Sequence, residues 1–562
     1  MKSKGRVLVV DNNPTLLASV GDFLETSGYS VLTTNSPQQA LKLTEEEIVH
    51  LCIIDVRLTD DYDDMDISGL DLAAAMDPVI PKIMLTAYEN PDPIIRSLSP
   101  DKRGIALAVD FVLKRLGPYI LLGAVEKAFQ SKVRLNTEME ITWEKGLSWR
   151  VLVEELKAYR GKGESEKGKA EEELEDLMVR LLDRATALRM LRVISGRGGC
   201  GVIIARPSFG GVMGEDMVIK FGLRETVMTE FDNYKRWVEP FAAVRSTQLR
   251  GEPVRTPHLG AIKYSFVGER AGRLVHFNDY YLRGDVPIES IEETLRYLFE
   301  ECCELWYKSK RRPGQKERIP LDVWYREQLP FYDRHVEELQ DVVEGLVNGE
   351  HALARCFRRQ GPARLEVTLG DETILLPDPV HFALEAKSSE RGEDFFPLSS
   401  LVAITHGDLN GTNILVDREG KAWLIDFFKT GWGPALRDLA EMESVVKFEL
   451  LQTEDLLARY ALERASLRPR SLKHPIQLES PFRLTELDKA AAVIQQLRAL
   501  ACDVADSEDP REYYVGFLFY ALKEMAGFTP RAGEEEHVSV SQYHALLSAA
   551  MVCEVLERWR LH

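Results

Sequence analysis

The chain has 562 residues, too long for one ordinary domain and long enough for several sizeable cores. Its 90 acidic against 71 basic residues leave a net charge of −19, which argues against nonspecific nucleic-acid binding, and no helix-turn-helix with a basic face is visible. Seven cysteines without metal-ligand spacing, no apolar run of membrane-spanning length, and a start (Met1-Lys2-Ser3-Lys4) that leads only into a short apolar strand point to a cytoplasmic protein with no membrane span.

Apolar runs at 6–10, 51–54, 82–85 and 108–113 read as strands, and helical stretches such as 16–26 and 37–47 alternate with them. That rhythm predicts an α/β doubly wound parallel sheet over residues 1–131, with ligands at the carboxyl ends of its strands. A polar residue stands at each of those ends: Asp11, Asp55, Thr86 and Lys114. The segment resembles the receiver domain of two-component response regulators, a flavodoxin-like fold. The resemblance implies Asp55 as phosphoacceptor, Asp11 and Asp55 around Mg²⁺, Thr86 as the switch, and Lys114 pairing with the phosphoryl group. It also implies a cognate histidine kinase or other phosphodonor as partner. The sequence departs from the pattern in three places. The usual acid pair is Asp11-Asn12, and a neutral amide binds hard Mg²⁺ less well than a carboxylate. Lys114 is followed by Arg115 rather than proline. An acidic loop (Asp60, Asp61, Asp63, Asp64, Asp66) follows Asp55 and reads as solvated, with compensating charge as the alternative. Asp55 is read as phosphorylated; a degenerate receiver serving only as an interaction module is the other reading.

Residues 132–190 read as a helical linker. The stretch 160–169, rich in Gly, Lys and Glu, is expected to be mobile. Beyond it Leu174, Leu177, Met178, Leu181, Leu182, Ala185 and Leu188 recur at helical spacing. That stripe is expected to pack on the lobe that follows; a homodimer seam is the alternative. Strands at 191–194 and 202–205 flank a glycine run containing Gly196, Gly198, Gly199 and Gly201. Glycines there would let backbone N–H groups approach phosphate oxygens, although a plain hairpin turn fits the run equally. A short apolar strand ends at Lys220, and a helical stretch at 225–238 holds Glu230, with Glu225 as second choice for a lysine partner. Strands are expected at 261–267 and 273–280. The aromatics Phe277, Tyr280 and Tyr281 in the latter read either as core or as adenine contacts.

An insertion at 350–397 carries a hairpin signature around Gly370-Asp371. It precedes the most informative run of the chain, His406-Gly407-Asp408-Leu409-Asn410-Gly411-Thr412-Asn413, which is followed by Leu424-Ile425-Asp426-Phe427. The spacing suits phosphoryl transfer. Asp408 can accept a hydroxyl proton, Asn413 can hold Mg²⁺, and Asp426 can bridge metal to phosphate. Apolar residues around the turn Asp417-Arg418-Glu419-Gly420 predict a hairpin that brings Asn413 and Asp426 to one edge. The pattern resembles the catalytic loop of the kinase fold, in its aminoglycoside and choline phosphotransferase branch, where His-Gly-Asp replaces His-Arg-Asp. Less specifically, it resembles phosphotransferase-like domains of bacterial NTP-dependent signalling and conflict systems. The chain is thus expected to be multidomain, with a two-lobed α+β protein-kinase-like fold after the linker: a small lobe at 191–285 and a large lobe at 286–562, mostly helical from 441 onward.

The resemblance implies ATP and Mg²⁺, Lys220 held by Glu230 on the phosphates, and the glycine run over them. The segment 427–438 is short for peptide docking, and Gly407 offers no cation to a phosphorylated loop. Both features favour a small hydroxyl acceptor, of unknown identity, over a protein. The rival class is a non-catalytic nucleotide-binding adaptor that relays receiver state to a partner.

Overall fold

The computed structural model describes residues 3–60, 63, 65–87, 98–99, 106–194, 199–241, 247–266, 274–314, 319–329, 338–388, 401–467, 471–479, 482, 485–527 and 539–560. The chain divides into two compact units, Met1–Thr229 with Leu249–Ser265, and Glu230–Gln248 with Phe266–His562.

The first unit begins with a five-stranded parallel sheet: β1 (Arg6–Val10), β2 (Ser30–Thr34), β3 (Leu51–Asp55), β4 (Lys82–Thr86) and β5 (Asp110–Leu113), in the order β2-β1-β3-β4-β5. Alternate side chains leave opposite faces of a strand. Accordingly Val7, Val9, Ile53, Ile83 and Leu85 pack under helices Pro14–Thr26 and Pro118–Ala128. Leu8, Val10, Cys52, Ile54 and Met84 pack under Pro37–Glu46 and Ser68–Ala75. Both faces are covered, so the central strands read as unbroken apolar runs. Strand order reverses between β1 and β3, which opens a crevice at the strand ends beside Asp11 and Asp55.

The rest of the unit departs from a purely helical linker. Glu140–Trp143 is a strand that pairs in parallel with Ala187–Ile194, and the sheet continues antiparallel through Gly201–Phe209, Met217–Leu223 and Leu259–Phe266. The second sheet therefore starts near residue 140 rather than at 191. The stretch expected to be mobile is instead the start of one helix, Glu164–Leu181. Lys and Glu are good helix formers. Here Lys162 pairs with Glu166 at 3.1 Å and Lys167 reaches Glu154 at 2.6 Å. Leu174, Leu177, Met178 and Leu181 are buried with Ile203, Ala205, Ile219 and Phe221 of the sheet. The stripe thus packs on its own chain and presents no face for a dimer seam. Glu173, buried on the same helix, accepts from Thr256 Oγ1, from the His258 and Leu259 N–H groups at 3.1 Å, and from His258 Nδ1 at 2.7 Å.

In the second unit the expected strand at 273–280 is reduced, among described residues, to Val275–His276, which pairs with Ile414–Val416. Phe277–Leu282 is a helix. Phe277, Tyr280 and Tyr281 stand at i, i+3 and i+4, a helical face, and all three are buried as core. The hairpin Arg364–Leu369/Glu372–Pro377 forms as expected and adds Phe357–Arg359 as a third strand. Helices Arg437–Ser444, Leu456–Leu467, Thr485–Ala505, Arg511–Met525 and Val540–Arg560 build the core. Within it lies a charged cluster closed to solvent: Arg498 forks onto Glu443 at 2.8 and 2.7 Å, and Lys447 bridges Glu443 and Glu463 at 2.9 and 3.0 Å. Among described residues no helix is long and apolar enough to cross a membrane.

Candidate functional site

Two sites gather the chemistry anticipated from sequence. The first lies at the carboxyl ends of β1, β3, β4 and β5. Asp11, Asp55 and Thr86 are all buried there. Lys114, just past β5, places Nζ 2.7 Å from Asp11 Oδ2 and 2.7 Å from Asp55 Oδ2. Burial disfavours its charge, but the two carboxylates outweigh that and raise the ammonium above its usual range. The remaining Asp11 oxygen accepts the Asn13 N–H at 2.9 Å, and Asn13 in turn caps the helix Pro14–Thr26. Gly69 closes the other side. A Cβ on it would lie 1.8 Å from the Asp55 carbonyl oxygen, so the helix Ser68–Ala75 abuts the phosphoacceptor strand as only glycine allows. Asp66 is not simply solvated. It accepts the N–H groups of Thr59 at 2.9 Å, Asp60 at 2.8 Å and Ser68 at 2.8 Å, and so braces the acidic loop. Asp61 and Asp64 lie outside the described residues.

The second site centres on the loop after the strand Val402–Thr405. Asp438, buried at the start of the helix Arg437–Ser444, holds this loop. It accepts the His406 N–H at 2.7 Å, the Gly407 N–H at 2.9 Å and the Tyr307 hydroxyl at 3.0 Å. Gly407 has φ +85°, and a Cβ there would stand 1.6 Å from Arg437 Nη2 and 2.4 Å from the Lys429 carbonyl oxygen. Glycine is therefore demanded by geometry as well as by the absence of a docking cation. His406 is buried and its imidazole is pushed down by desolvation; its Nε2 meets the Ile425 carbonyl oxygen at 3.0 Å.

Asp408 points outward, about a quarter exposed, with Lys429 Nζ 3.0 Å and Lys523 Nζ 4.0 Å from its Oδ1. Desolvation opposes its charge, but Lys429 and Lys523 overcome that and hold the carboxyl well below the ordinary range. Glu441 behaves oppositely. Burial pushes it up to about 7, although Lys523 lies 3.6 Å away and the Leu409 N–H donates to it at 2.8 Å. Neighbouring carboxyls whose environments drive them apart divide the roles, Asp408 ionised and Glu441 the proton holder.

Asn413 Nδ2 donates to the Asp408 carbonyl oxygen at 2.8 Å and lies 3.3 Å from its Oδ2, which leaves the amide oxygen as a donor to metal. The hairpin pairs Ile414 with Leu424, and the Ile425 N–H donates to the Asn413 carbonyl oxygen at 3.0 Å, so Asn413 and Asp426 end at one edge as expected. Asp426 has φ +67°, a left-handed conformation costing a non-glycine residue roughly 1–2 kcal/mol and concentrated at functional sites. Asn413 and Asp426 supply hard oxygens of the kind Mg²⁺ takes, as do Asp11 and Asp55. Among described residues no three His, Cys, Asp or Glu side chains converge as a metal site, so phosphate and water would have to complete either shell.

Lys220 is buried on the strand Met217–Leu223, paired between Val202 and Ile262, and Glu230 is buried on the helix Arg224–Asn233. The two belong to different compact units. Gly196 and Gly198 lie outside the described residues. Gly199 adopts φ +80°. Gly201 lies within a strand, where a Cβ would meet the Phe221 ring at 2.2 Å, so its glycine serves close packing rather than phosphate approach. Sequence reading did not single out Lys429, Lys523 or Glu441. Lys429 follows Asp426 by three residues and was within reach of a charge argument. Lys523 arrives from a helix far along the chain, with no local signal.

Residues 7–126 match the family model of the response regulator receiver domain. The N-terminal domain is a response regulator receiver. Residues 334–526 match a second model, ternary complex associated domain 9. The receiver region is similar to the alginate biosynthesis transcriptional regulatory protein AlgB of Pseudomonas aeruginosa, 31% identical over 142 residues, covering 25% of this chain and 29% of that protein. It is also similar to the transcriptional regulatory protein ZraR of Escherichia coli K12, 31% identical over 133 residues, covering 24% and 28%. The chain therefore spans under a third of these relatives' length. Among solved structures it is similar to a CheY-like receiver domain protein from Methanospirillum hungatei JF-1, 27% identical, covering 23% of this chain and 95% of that one with a TM-score of 0.20. A response regulator from Thermotoga maritima is 28% identical over 23% of this chain and 98% of its own, with a TM-score of 0.19. A receiver domain implies a phosphodonor as partner.

Proposed function

We propose that the chain is a receiver-controlled phosphotransferase, in which an aminoglycoside-phosphotransferase-like domain passes the γ-phosphate of ATP to a hydroxyl, more readily of a small molecule than of a protein. The observation that carries this reading is the ionised Asp408, held between Lys429 and Lys523 and tied through Asn413 to the hairpin edge that ends at Asp426. Asp408 orients the acceptor hydroxyl and takes its proton. Asn413 and Asp426 hold Mg²⁺, whose charge offsets that of the phosphates. Lys220, backed by Glu230, positions the phosphates, and Gly199 with the glycine run before it covers them. Asp55 takes a phosphoryl group from a histidine kinase or small phosphodonor, with Asp11 as metal ligand, Lys114 as its cation and Thr86 as switch. The test is ADP release with Mg-ATP and fractionated metabolites, read beside Asp408→Asn. Release that depends on both acceptor and Asp408 supports the reading; a chain that neither shifts its melting with Mg-ATP nor releases ADP refutes it.

A second reading, a nucleotide-binding adaptor without turnover, is favoured by the match of residues 334–526 to a domain described as ternary complex associated. Under it, Asp408→Asn leaves cellular function intact while Asp426→Ala abolishes both the Mg-ATP melting shift and that function.

A further inference from the structure

Asp77 stands just beyond the helix Ser68–Ala75 of the receiver, and its two carboxylate oxygens go to different elements of the second sheet. Oδ2 is 2.7 Å from Arg224 Nη2, and Oδ1 is 2.5 Å from Arg255 Nη2. All three side chains are largely shielded from solvent, at 17%, 34% and 20% exposure. The turn carrying Asp77 is itself fixed. The Val79 N–H donates to Asp77 Oδ1 at 2.9 Å, and the buried Lys82 of β4 donates Nζ–H to the carbonyl oxygens of Asp77 at 2.8 Å and Ile80 at 3.0 Å.

The partners of Asp77 flank Lys220. Arg224 follows directly on Lys220's strand and opens the helix Arg224–Asn233. Arg255 belongs to Val254–Arg255, which pairs with Leu259–Phe266, the strand whose Ile262 lies opposite Lys220. At its other end the helix Ser68–Ala75 has no slack against the phosphoacceptor strand: the Gly69 N–H donates to the Val56 carbonyl oxygen at 2.9 Å, and Gly69 admits no Cβ beside Asp55. A short rigid body therefore runs from Asp55 to Asp77.

We propose that this helix is a lever, and that a change of charge at Asp55 is carried through Asp77 to Arg224 and Arg255, resetting the helix Arg224–Asn233 and the strands around Lys220. The consequence for phosphate positioning rests on the phosphotransferase reading above; the mechanical link does not. It differs from a route through the buried stripe of the helix Glu164–Leu181, which is apolar core with no group that answers to charge. A parallel polar link exists, because receiver His50 places Nε2 2.6 Å from Asp176 Oδ1 on that helix, and the test must separate the two.

Hydrogen exchange of residues 224–233, measured by mass spectrometry on the full chain, reads the link directly. Lys114→Ala changes the charge balance at Asp55 and is expected to alter exchange of 224–233 by roughly fivefold, as local opening free energies shift. In an Asp77→Asn background the same change is expected to have little effect, while exchange of 6–10 stays unaltered as a check on folding. Gly69→Ala, which forces the helix away from Asp55, is expected to act like Lys114→Ala. An equal response in both backgrounds overturns the lever in favour of the His50 route. No response in either overturns it outright. Turnover is not read, so a chain that transfers no phosphate still passes or fails this test.

Discussion

Asp55 and Asp408 are both carboxylates set beside lysine, with opposite ratios of charge. One ammonium, Lys114, is shared between Asp11 and Asp55. At Asp408 two ammoniums, Lys429 and Lys523, converge on one carboxylate, while Glu441 behind it tends to stay protonated. The first arrangement leaves negative charge to be met by a cation, as a metal-assisted phosphoacceptor needs. The second leaves positive charge to be met by an anion, and it keeps the carboxylate ionised across the physiological range. A carboxylate meant to receive a phosphoryl group and one meant to steer a hydroxyl are thus distinguished by their cations more than by their burial.

That contrast is most exposed at Asp408. Asp408→Asn is expected to lower turnover by roughly a hundredfold or more, the scale of a lost general base, while the rise in melting temperature with Mg-ATP survives. Turnover that persists would place the chemistry elsewhere. On the receiver side, Lys114→Ala leaves two buried carboxylates facing each other and is expected to cost about 2 kcal/mol in denaturant melts. Millimolar Mg²⁺ should restore much of that loss, because the pocket then has only metal to compensate it.

Glu441→Gln gives a smaller, pH-dependent effect. Glu441's carboxyl is raised in the folded state, so its stabilising contribution is complete below its unfolded pKa and fades as pH climbs through about 7. The glutamine variant should therefore melt higher than wild type at pH 8, by about 1 kcal/mol or roughly 2–4 °C, and show no gain at pH 5. Smallest is Asn12→Asp. It is expected to lower the Mg²⁺ concentration at which a small phosphodonor modifies Asp55, read by intact mass, with little change in stability. If the variant stays unmodified at high Mg²⁺, the receiver serves as a docking domain.

The receiver was legible because its central strands are buried on both faces and read as plain apolar runs. Only β2 escaped notice, since Ser30–Thr34 is a half-exposed polar edge. The loop from His406 to Asn413 and its hairpin were legible because their chemistry is local, within 20 residues of Asp408. What could not be read is what the chain assembles from afar. Lys523 reaches Asp408 across 115 positions, and Asp77 meets Arg224 across 147. Lys/Glu-rich 160–169 misled because composition reports what a segment can do alone, whereas the leucine stripe that follows anchors it as helix.

The ties from the receiver into the second sheet, Asp77 to Arg224 and Arg255 and His50 to Asp176, also bear on how this half of the molecule comes apart. A chain boundary near residue 131 is not a seam in stability. Cutting there would strand Asp176, Arg180, Arg224 and Arg255 against water and strip the cover from the receiver's flank. The first compact unit should then unfold in calorimetry as one cooperative transition, with no separate receiver peak. The receiver would be inseparable in stability from the sheet it is proposed to govern.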